Sequence, residues 1–369
     1  MQIIFLGTAS CNPTEYRGVS SLCLRFDSGD VWMVDCGEGT QVQLQKSSIK
    51  LSRITKIFIT HLHGDHIFGL PGLFCTLSTL TAERMDFTLE VYGPLGIAKF
   101  IRETLNLSRS PLSFRYKVYE LIPLNSQYPG NMRSEWPVLE ADSSLHPQES
   151  PTGKLAAMGG DHPVWNIIEN HSDCTVQASR VEHRIPCFGF VFDTKSKVGS
   201  LDAEYLKKKG VPPGPQYAKL KRGESITLPN GETINPEDCI GPKKKGKKIT
   251  ILGDTNNPSH MVEIAMNSDV LIHEATLEDQ FQEKAILNGH STPSMAAEFS
   301  HRILASTLIL YHYSQRYRAP GGPEPKFIEQ EQIFSTDLLL REAQNAVKKF
   351  PGFNCLCVAS KDLMQFEVK

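Results

Sequence analysis

The sequence predicts an α/β fold of layered strands and helices, and three observations support this. The 369 residues are 40% hydrophobic and 22% charged, as in globular proteins with a large buried core. Short apolar segments alternate along the chain with turns and helix-like segments. No segment approaches the roughly 18 to 20 consecutive apolar residues of a membrane span. The composition excludes a mainly disordered chain, and the net charge of −2 excludes a histone-like basic protein.

The apolar segments predict the elements in order. The N-terminal part predicts strands at 3–6, 21–26 and 31–34, a helix at 38–46 and a strand at 54–60. Farther along, we predict strands at 114–122, 176–181, 188–192, 248–252, 269–273 and 308–311, helices at 294–304 and within 327–350, and further strands between 355 and 368. Two strand and helix halves of similar size therefore flank residues 207–248.

Two segments interrupt this pattern. Residues 109–175 are rich in Ser, Pro, Asn and Gly and, apart from the strand at 114–122, show no sustained period, which is typical of a long insertion. Residues 207–248 contain eleven basic and four acidic side chains, together with a Gly and Pro-rich run at 210–215. Little of this basic segment should be buried. It is either a solvated surface or a nucleic-acid contact.

The cysteines and the N-terminal residues give expectations about the cellular compartment of the protein. The nine cysteines are scattered without a Cys-x-x-Cys pair, which predicts reduced thiols in a cytosolic or nuclear compartment. Because the sequence opens directly on an apolar segment that predicts a strand, we expect no signal or transit peptide.

The segment 57–66, Ile-Phe-Ile-Thr-His-Leu-His-Gly-Asp-His, places three imidazoles and a carboxylate at the end of an apolar strand. In extended backbone His61 and His63 point the same way and can share one cation. A turn at Gly64 then lets Asp65 and His66 face a second cation. Chance polar residues in a surface turn are the simpler alternative, but polar groups at the end of so apolar a strand are costly. Because nitrogen and oxygen donors suit Zn²⁺, the segment predicts a zinc site.

Residues 61–66 are similar to the signature of the metallo-β-lactamase superfamily, and the longer run 60–73 resembles the ribonuclease Z family in particular. Further family-like segments lie at 5–8, 35–40, 183–190, 253–255, 273–276, 289–292 and 312–317. The resemblance implies an αββα sandwich of two mixed β-sheets flanked by helices, as one domain over residues 1–369. It also implies a protruding flexible basic arm at 195–248, and it assigns no role to the insertion at 109–175.

The resemblance further implies two zinc ions per chain. The implied ligands are His61, His63 and His183 on the first ion, Asp65, His66 and His312 on the second, and Asp254 between them. A carboxylate suits the bridging position because it offers two oxygens. Taken alone, His183 and His312 are as readily interpreted as structural histidines near strand ends.

Three residues would act in catalysis if the resemblance holds. Asp65 would position or deprotonate the attacking water, His290 would protonate the departing 3′ oxygen, and Glu274 would orient His290. The alternative for His290 is a turn residue before a helix capped by Ser291 or Thr292.

Two further residues are expected behind the metal ligands. Asp35, at the end of the strand 31–34, should orient the ligand loop, with capping of the following helix as the alternative. His273 either supports a metal ligand from behind or is a histidine of the core.

The implied function is a zinc-dependent endoribonuclease that removes the 3′ trailer from precursor tRNA and leaves a tRNA 3′-hydroxyl and a 5′-phosphorylated trailer. The RNA-binding residues of the arm would be Gly210, Pro212, Pro213, Gly214, Lys219, Lys221 and Arg222. The family also implies a homodimer, and no membrane contact is expected. Two alternatives stay open: a phosphodiesterase of the same fold acting on a small or cyclic nucleotide, and an inactive RNA-binding scaffold.

Overall fold

The computed structural model describes residues 1–80, 87–128, 144–318 and 334–369. The strands in these ranges are β1 (Gln2–Gly7), β2 (Ser21–Arg25), β3 (Val31–Val34), β4 (Ile54–Phe58), β5 (Thr88–Pro94), β6 (Arg115–Leu121), β7 (Glu149–Leu155), β8 (Val164–Ile168), β9 (Cys174–Val181), β10 (Cys187–Thr194), β11 (Ile226–Thr227), β12 (Thr233–Ile234), β13 (Lys248–Leu252), β14 (Val270–Glu274), β15 (Thr307–Tyr311), β16 (Tyr317–Arg318), β17 (Phe334–Ser335), β18 (Leu356–Ala359) and β19 (Gln365–Glu367).

The helices in the same ranges are α1 (Thr40–Lys46), α2 (Gly64–Ile67), α3 (Leu70–Leu80), α4 (Ile97–Leu107), α5 (Ala203–Lys208), α6 (Pro215–Lys221), α7 (Pro236–Cys239), α8 (Val262–Ala265), α9 (Gln282–Leu287), α10 (Pro293–Arg302) and α11 (Thr336–Val347). None of these helices has the length and the apolar composition needed to cross a membrane.

Two mixed sheets form the centre of the fold. One has the strand order β19-β1-β2-β3-β4-β5-β6-β7, and the other has the order β18-β15-β14-β13-β10-β9-β8. Strands β3 to β7 are parallel to one another, whereas β1 and β2 pair antiparallel. In the second sheet β13, β14, β15 and β18 are parallel, and β8 and β9 are antiparallel. The predicted fold class, two mixed sheets flanked by helices, is confirmed.

Aromatic side chains fill the space between the two sheets. Phe58 of β4 packs edge-on against Phe190 and Phe192 of β10, with ring centroids 5.5 and 5.0 Å apart. Trp32 of β3 lies 6.3 Å from Phe192. The next residue, Met33, joins the core cluster of the other face, which side chains of α1, α3 and α4 complete. Strands buried on both faces have no polar alternation, which explains their continuous apolar sequence.

The segment 109–175 contains more regular structure than we predict from its sequence. β7 pairs with β6 at the edge of the eight-stranded sheet, and β8 pairs with β9 at the edge of the seven-stranded sheet. Most side chains of β7 are only partly buried. Edge strands of this kind need few apolar residues, so their sequence pattern is weak. The prediction that residues 109–175 are irregular apart from the strand at 114–122 is therefore wrong at β7 and β8, and residues 129–143 lie outside the described ranges.

By its internal packing the chain divides into two compact units. The first consists of residues 1–169, 176–192 and 248–369 and contains both sheets. The second consists of residues 170–175 and 193–247. A small core cluster in this unit consists of Leu206, Val211, Leu220, Ile226, Leu228, Ile234 and Cys239. The expectation of little burial in the basic segment is therefore wrong. In the sequence these apolar residues are separated by polar residues, Lys, Gly and Pro, so no local pattern predicts the cluster that they form in the folded chain.

A buried ion pair joins α4 to the edge strand β7. Arg102 donates from Nε and Nη2 to the two carboxylate oxygens of Glu149, at 2.8 and 2.7 Å. The hydroxyl of Tyr116 donates to the same carboxylate at 3.1 Å. The Glu149 side chain is fully buried, so the guanidinium is its main source of charge compensation.

We expect Glu149→Ala to lower the free energy of unfolding by about 3 to 5 kcal/mol, because the cation of Arg102 loses its partner in a buried position. Urea unfolding followed by circular dichroism measures the change. The double variant Arg102→Met/Glu149→Leu replaces the pair with apolar side chains and should recover most of the loss. An equal loss in both variants would contradict the explanation by an unpaired charge.

Candidate metal centre and active site

The predicted site residues meet because many of them lie at or just after the carboxyl ends of strands in the two sheets. They follow the strands in this order: Asp35 after β3, His61 after β4, His183 after β9, Asp254 after β13, Glu274 at the end of β14 and His312 after β15. The parallel pairing of β13, β14 and β15 brings three of these ends to one sheet edge. At His312 the backbone has a φ of 58°, which costs a non-glycine residue about 1 to 3 kcal/mol. Such backbone strain is typical of functional sites.

The first ligand group consists of His61, His63, His183 and Asp254, whose ligand atoms lie within 4.8 Å of one another. His63 Nδ1 is 3.1 Å from His61 Nε2 and 3.2 Å from His183 Nε2. Burial lowers the pKa of all three imidazoles, that of His63 to about 4. The rings are therefore neutral at physiological pH and have lone pairs available for a metal.

The second group consists of Asp65, His66, His312 and again Asp254. Asp254 lies 3.5 Å from His66 Nε2 and 3.2 Å from His312 Nε2. Three buried atoms here, His66 Nε2, His312 Nε2 and Asp254 Oδ1, have no hydrogen-bond partner. Unpartnered buried polar atoms are costly, and a cation between them would remove that cost. The donor set and these three atoms fit zinc.

Asp35 orients His66 from behind. Its carboxylate accepts from His66 Nδ1 at 2.7 Å and from the backbone N–H of Thr60 at 2.8 Å, so His66 Nε2 faces the ligand group. The φ of Asp35 is 57°, a conformation that Asp and Asn tolerate better than other residues. The alternative role in helix capping is not observed, because α1 begins after Gly39.

The other predicted supporting residue, His273, lies elsewhere. Neighbouring residues of a strand point to opposite faces, and Glu274 points to the metal ligands. His273 is buried, its Nδ1 lies 2.8 Å from the carbonyl oxygen of Glu274, and its ring lies 6.0 Å from that of Phe299. The structure therefore places His273 in the core under α10 rather than behind a metal ligand.

Glu274 and His290 form a buried pair beside the second ligand group. His290 Nδ1 lies 3.1 and 3.2 Å from the two carboxylate oxygens of Glu274. Burial disfavours the imidazolium, but the carboxylate outweighs it and raises the pKa of His290 to about 9. His290 is thus protonated near neutral pH and can donate a proton.

The helix after His290 is not capped by the side chain of Thr292. Thr292 is the N-cap residue of α10, but its side chain makes no capping hydrogen bond.

A cavity of about 330 Å³ opens onto this cluster, and His63, Asp65, Asp254 and His290 contribute to its wall. Sequence reasoning missed two features of this cavity. Arg184 lines it and brings a cation to the metal centre. The backbone N–H of Cys11 donates to Asp65 Oδ2 at 2.7 Å. Arg184 could have been suspected from its place beside His183, whereas a backbone N–H has no sequence signature.

Comparison with known proteins adds to this geometry. "Zinc phosphodiesterase ELAC protein 1" of Homo sapiens is 45% identical over 322 residues, which are 86% of this chain and 87% of that protein. "Ribonuclease Z" of Rippkaea orientalis is 37% identical over 93% of this chain and 96% of that protein. The chain belongs to the ribonuclease Z family.

Solved structures agree with membership in the ribonuclease Z family. The crystal structure of human tRNase Z, short form, is 31% identical, covers the whole of both chains and has a TM-score of 0.65. The metallo-β-lactamase fold protein YhfI of Bacillus subtilis shares the fold at 12% identity with a TM-score of 0.56. The family described as anti-Pycsar protein Apyc1 matches residues 1–92, which include the motif at 61–66. The predicted ribonuclease Z resemblance and the metallo-β-lactamase fold are confirmed.

We expect Asp35→Asn to weaken zinc binding by about 10-fold to 100-fold, because the amide lacks the charge that holds His66 in place. Asn also tolerates the positive φ at this position, so the fold should be retained. Competition with a chelator measures the affinity. Asp27→Asn, which changes an exposed ion pair with the N-terminal ammonium, is the matched control. Unchanged affinity in Asp35→Asn would contradict the orienting role.

Proposed function

We propose that this chain is a zinc-dependent endoribonuclease that removes the 3′ trailer from precursor tRNA. The observation that carries the proposal is the set of metal-ligand groups beside the pair of Glu274 and His290, in a chain of the ribonuclease Z family. The products are a tRNA with a 3′-hydroxyl and a trailer with a 5′-phosphate.

Two zinc ions fit the ligand arrangement. The first belongs to His61, His63 and His183, the second to Asp65, His66 and His312, and Asp254 belongs to both groups. Bound zinc supplies a water-derived nucleophile at neutral pH and draws negative charge from the phosphodiester.

Asp65 and His290 divide the proton transfers. Asp65 is held by the N–H of Cys11 and lines the cavity, so its carboxylate can orient the attacking water and accept its proton. His290 lines the same cavity and gives its proton to the 3′ oxygen as the bond to phosphorus breaks. Glu274 keeps His290 protonated and fixes its ring.

The second compact unit contributes RNA affinity. The seven residues that the resemblance selects there, Gly210, Pro212, Pro213, Gly214, Lys219, Lys221 and Arg222, are all exposed. Gly210 to Gly214 lie in the connection between α5 and α6, and Lys219 and Lys221 lie in the last turn of α6. Phosphate contacts by such cations give affinity without reading bases. A two-fold homodimer stays a prediction from the family resemblance.

The direct test uses a precursor tRNA that carries a 3′ trailer. We expect one cut after the discriminator nucleotide, loss of cutting on zinc removal, and recovery when zinc is restored. Mapping both product ends identifies the bond. Hydrolysis of small or cyclic nucleotides together with an intact precursor would instead favour the phosphodiesterase alternative.

Glu274→Gln tests the proton donor through pH. An acid works only while protonated, so activity falls as pH rises through its pKa. Without the carboxylate the pKa of His290 drops, and the alkaline limb of the kcat profile should move to lower pH.

His290→Ala is the companion variant. It should slow precursor cleavage much more than hydrolysis of a nitrophenyl phosphodiester, whose leaving group hardly needs a proton. An unmoved alkaline limb in Glu274→Gln, or equal slowing of both substrates in His290→Ala, would contradict the acid role.

Charge reversal tests the RNA-binding role of the second compact unit without removing its core. Lys219→Glu/Lys221→Glu should raise KM for precursor tRNA and flatten the dependence of log K on log salt by roughly 0.9 for each RNA phosphate that is no longer neutralised. Zinc content should not change. Lys50→Glu, at an exposed position of the first unit, is the matched control. Unchanged KM and salt dependence in the double variant would mean that this surface is only solvated.

A further inference from the structure

A second cleft adjoins the metal centre at His183. It has a volume of about 230 Å³ and is lined by Ser126, Gln127, Arg180, Val181, Glu182, His183 and Asn256. The ligand His183 therefore lines this cleft and, through Nε2, also lies 3.2 Å from His63 in the first metal-ligand group. The reaction as derived above gives this cleft no role.

The cleft is polar and partly unsatisfied. Arg180 donates to the hydroxyl of Ser126 at 3.3 Å, but its Nε has no hydrogen-bond partner. Asn256 donates to the carbonyl of Ile286 at 3.0 Å, but its Oδ1 has no partner. Both atoms are buried, and leaving a buried polar atom without a hydrogen bond costs free energy. This cost would fall for both atoms if their side chains turned towards a ligand. The ligand must offer an acceptor to Arg180 and a donor to Asn256.

We propose that this cleft is an RNA subsite that holds a ribonucleotide flanking the scissile phosphate. The proposal rests on the endonuclease function argued above. Arg180 contacts a phosphate oxygen, and Asn256 accepts from a 2′-hydroxyl, which is a donor as well as an acceptor. In this arrangement the RNA strand passes from the cavity at the metal centre, past His183, into the cleft.

The charges of the cleft favour this ligand class. Arg180 is the one Lys or Arg among the described residues that line the cleft, and it stands beside a centre where a phosphodiester must bind. Glu182 is exposed on the same wall and repels phosphate. The two side chains should therefore have opposite effects on RNA affinity.

The test uses the zinc-loaded full chain and compares Arg180→Met, Arg180→Lys, Glu182→Gln and the exposed control Arg53→Met. For each variant, kcat/KM is measured on precursor tRNA and on bis(p-nitrophenyl) phosphate. Arg180→Met should lower the ratio of kcat/KM on precursor tRNA to kcat/KM on bis(p-nitrophenyl) phosphate at least about tenfold, mainly through KM for the tRNA. It should also flatten the dependence of log K for the tRNA on log salt by roughly 0.7. Arg180→Lys should restore part of the ratio, and Glu182→Gln should raise it.

Trailer length identifies the nucleotide. If the cleft holds the first trailer nucleotide, Arg180 contacts the phosphate on the 3′ side of that nucleotide, and the effect of Arg180→Met should vanish on a one-nucleotide trailer, which lacks this phosphate. If it holds a nucleotide of the acceptor strand, the effect should be the same for every trailer. Single 2′-deoxy substitutions at the flanking positions should weaken binding at one of them only.

An unchanged ratio in Arg180→Met, or an equal fall on both substrates with loss of zinc, would overturn the subsite. A KM for precursor tRNA that is no lower in Arg180→Lys than in Arg180→Met, and no lower in Glu182→Gln than in the parent chain, would also count against it. If the parent chain does not cut precursor tRNA while it hydrolyses the small phosphodiester, the proposed function fails instead.

Discussion

The structure depends on one buried carboxylate, that of Asp254. Only 2% of this residue is exposed, and its oxygens lie 3.2 to 3.7 Å from ring nitrogens of His312, His66 and His61. Burial alone would raise the pKa of Asp254, but the surrounding histidines outweigh it and hold the pKa well below the ordinary value. A charge in such a position is tolerated only with partners, so the strand ends that carry the partners must converge. The two sheets hold these strand ends in place.

Close backbone packing makes the convergence possible. A Cβ atom at Gly37 would lie 2.2 Å from the carbonyl oxygen of Asp65, so the loop after β3 can lie against the metal motif only without a side chain. A Cβ at Gly253, directly before Asp254, would lie 2.5 Å from Cys187 Sγ. Glycine at these two positions therefore follows from contact distance and not from turn formation. The same approach brings Asp35 within reach of His66, which connects the fold to the orientation of a ligand.

The proposed function assigns chemistry and RNA affinity to different parts of the chain. The metal groups, the pair of Glu274 and His290 and the cleft at Arg180 all belong to the first compact unit. The second compact unit has a small core of its own, and Lys219, Lys221 and Arg222 occupy exposed positions on it. A substitution of an exposed lysine there removes charge without opening a cavity, so its effect on RNA binding can be measured apart from folding.

Local spacing in the sequence identifies the part of the site that lies within one turn of chain. The motif at 61–66 predicts two ligand pairs because strand alternation and a glycine turn determine where those side chains point. His183, Asp254 and His312 came only from family resemblance, since nothing local distinguishes them from structural histidines or a loop carboxylate. The tertiary structure alone decided that His273 lies in the core, that the N–H of Cys11 holds Asp65, that β7 and β8 complete the sheets, and that Arg180 and Asn256 share a cleft. The reason is physical: local periodicity records which face of an element a residue occupies, whereas a contact between distant segments, or one made by a backbone group, has no local pattern.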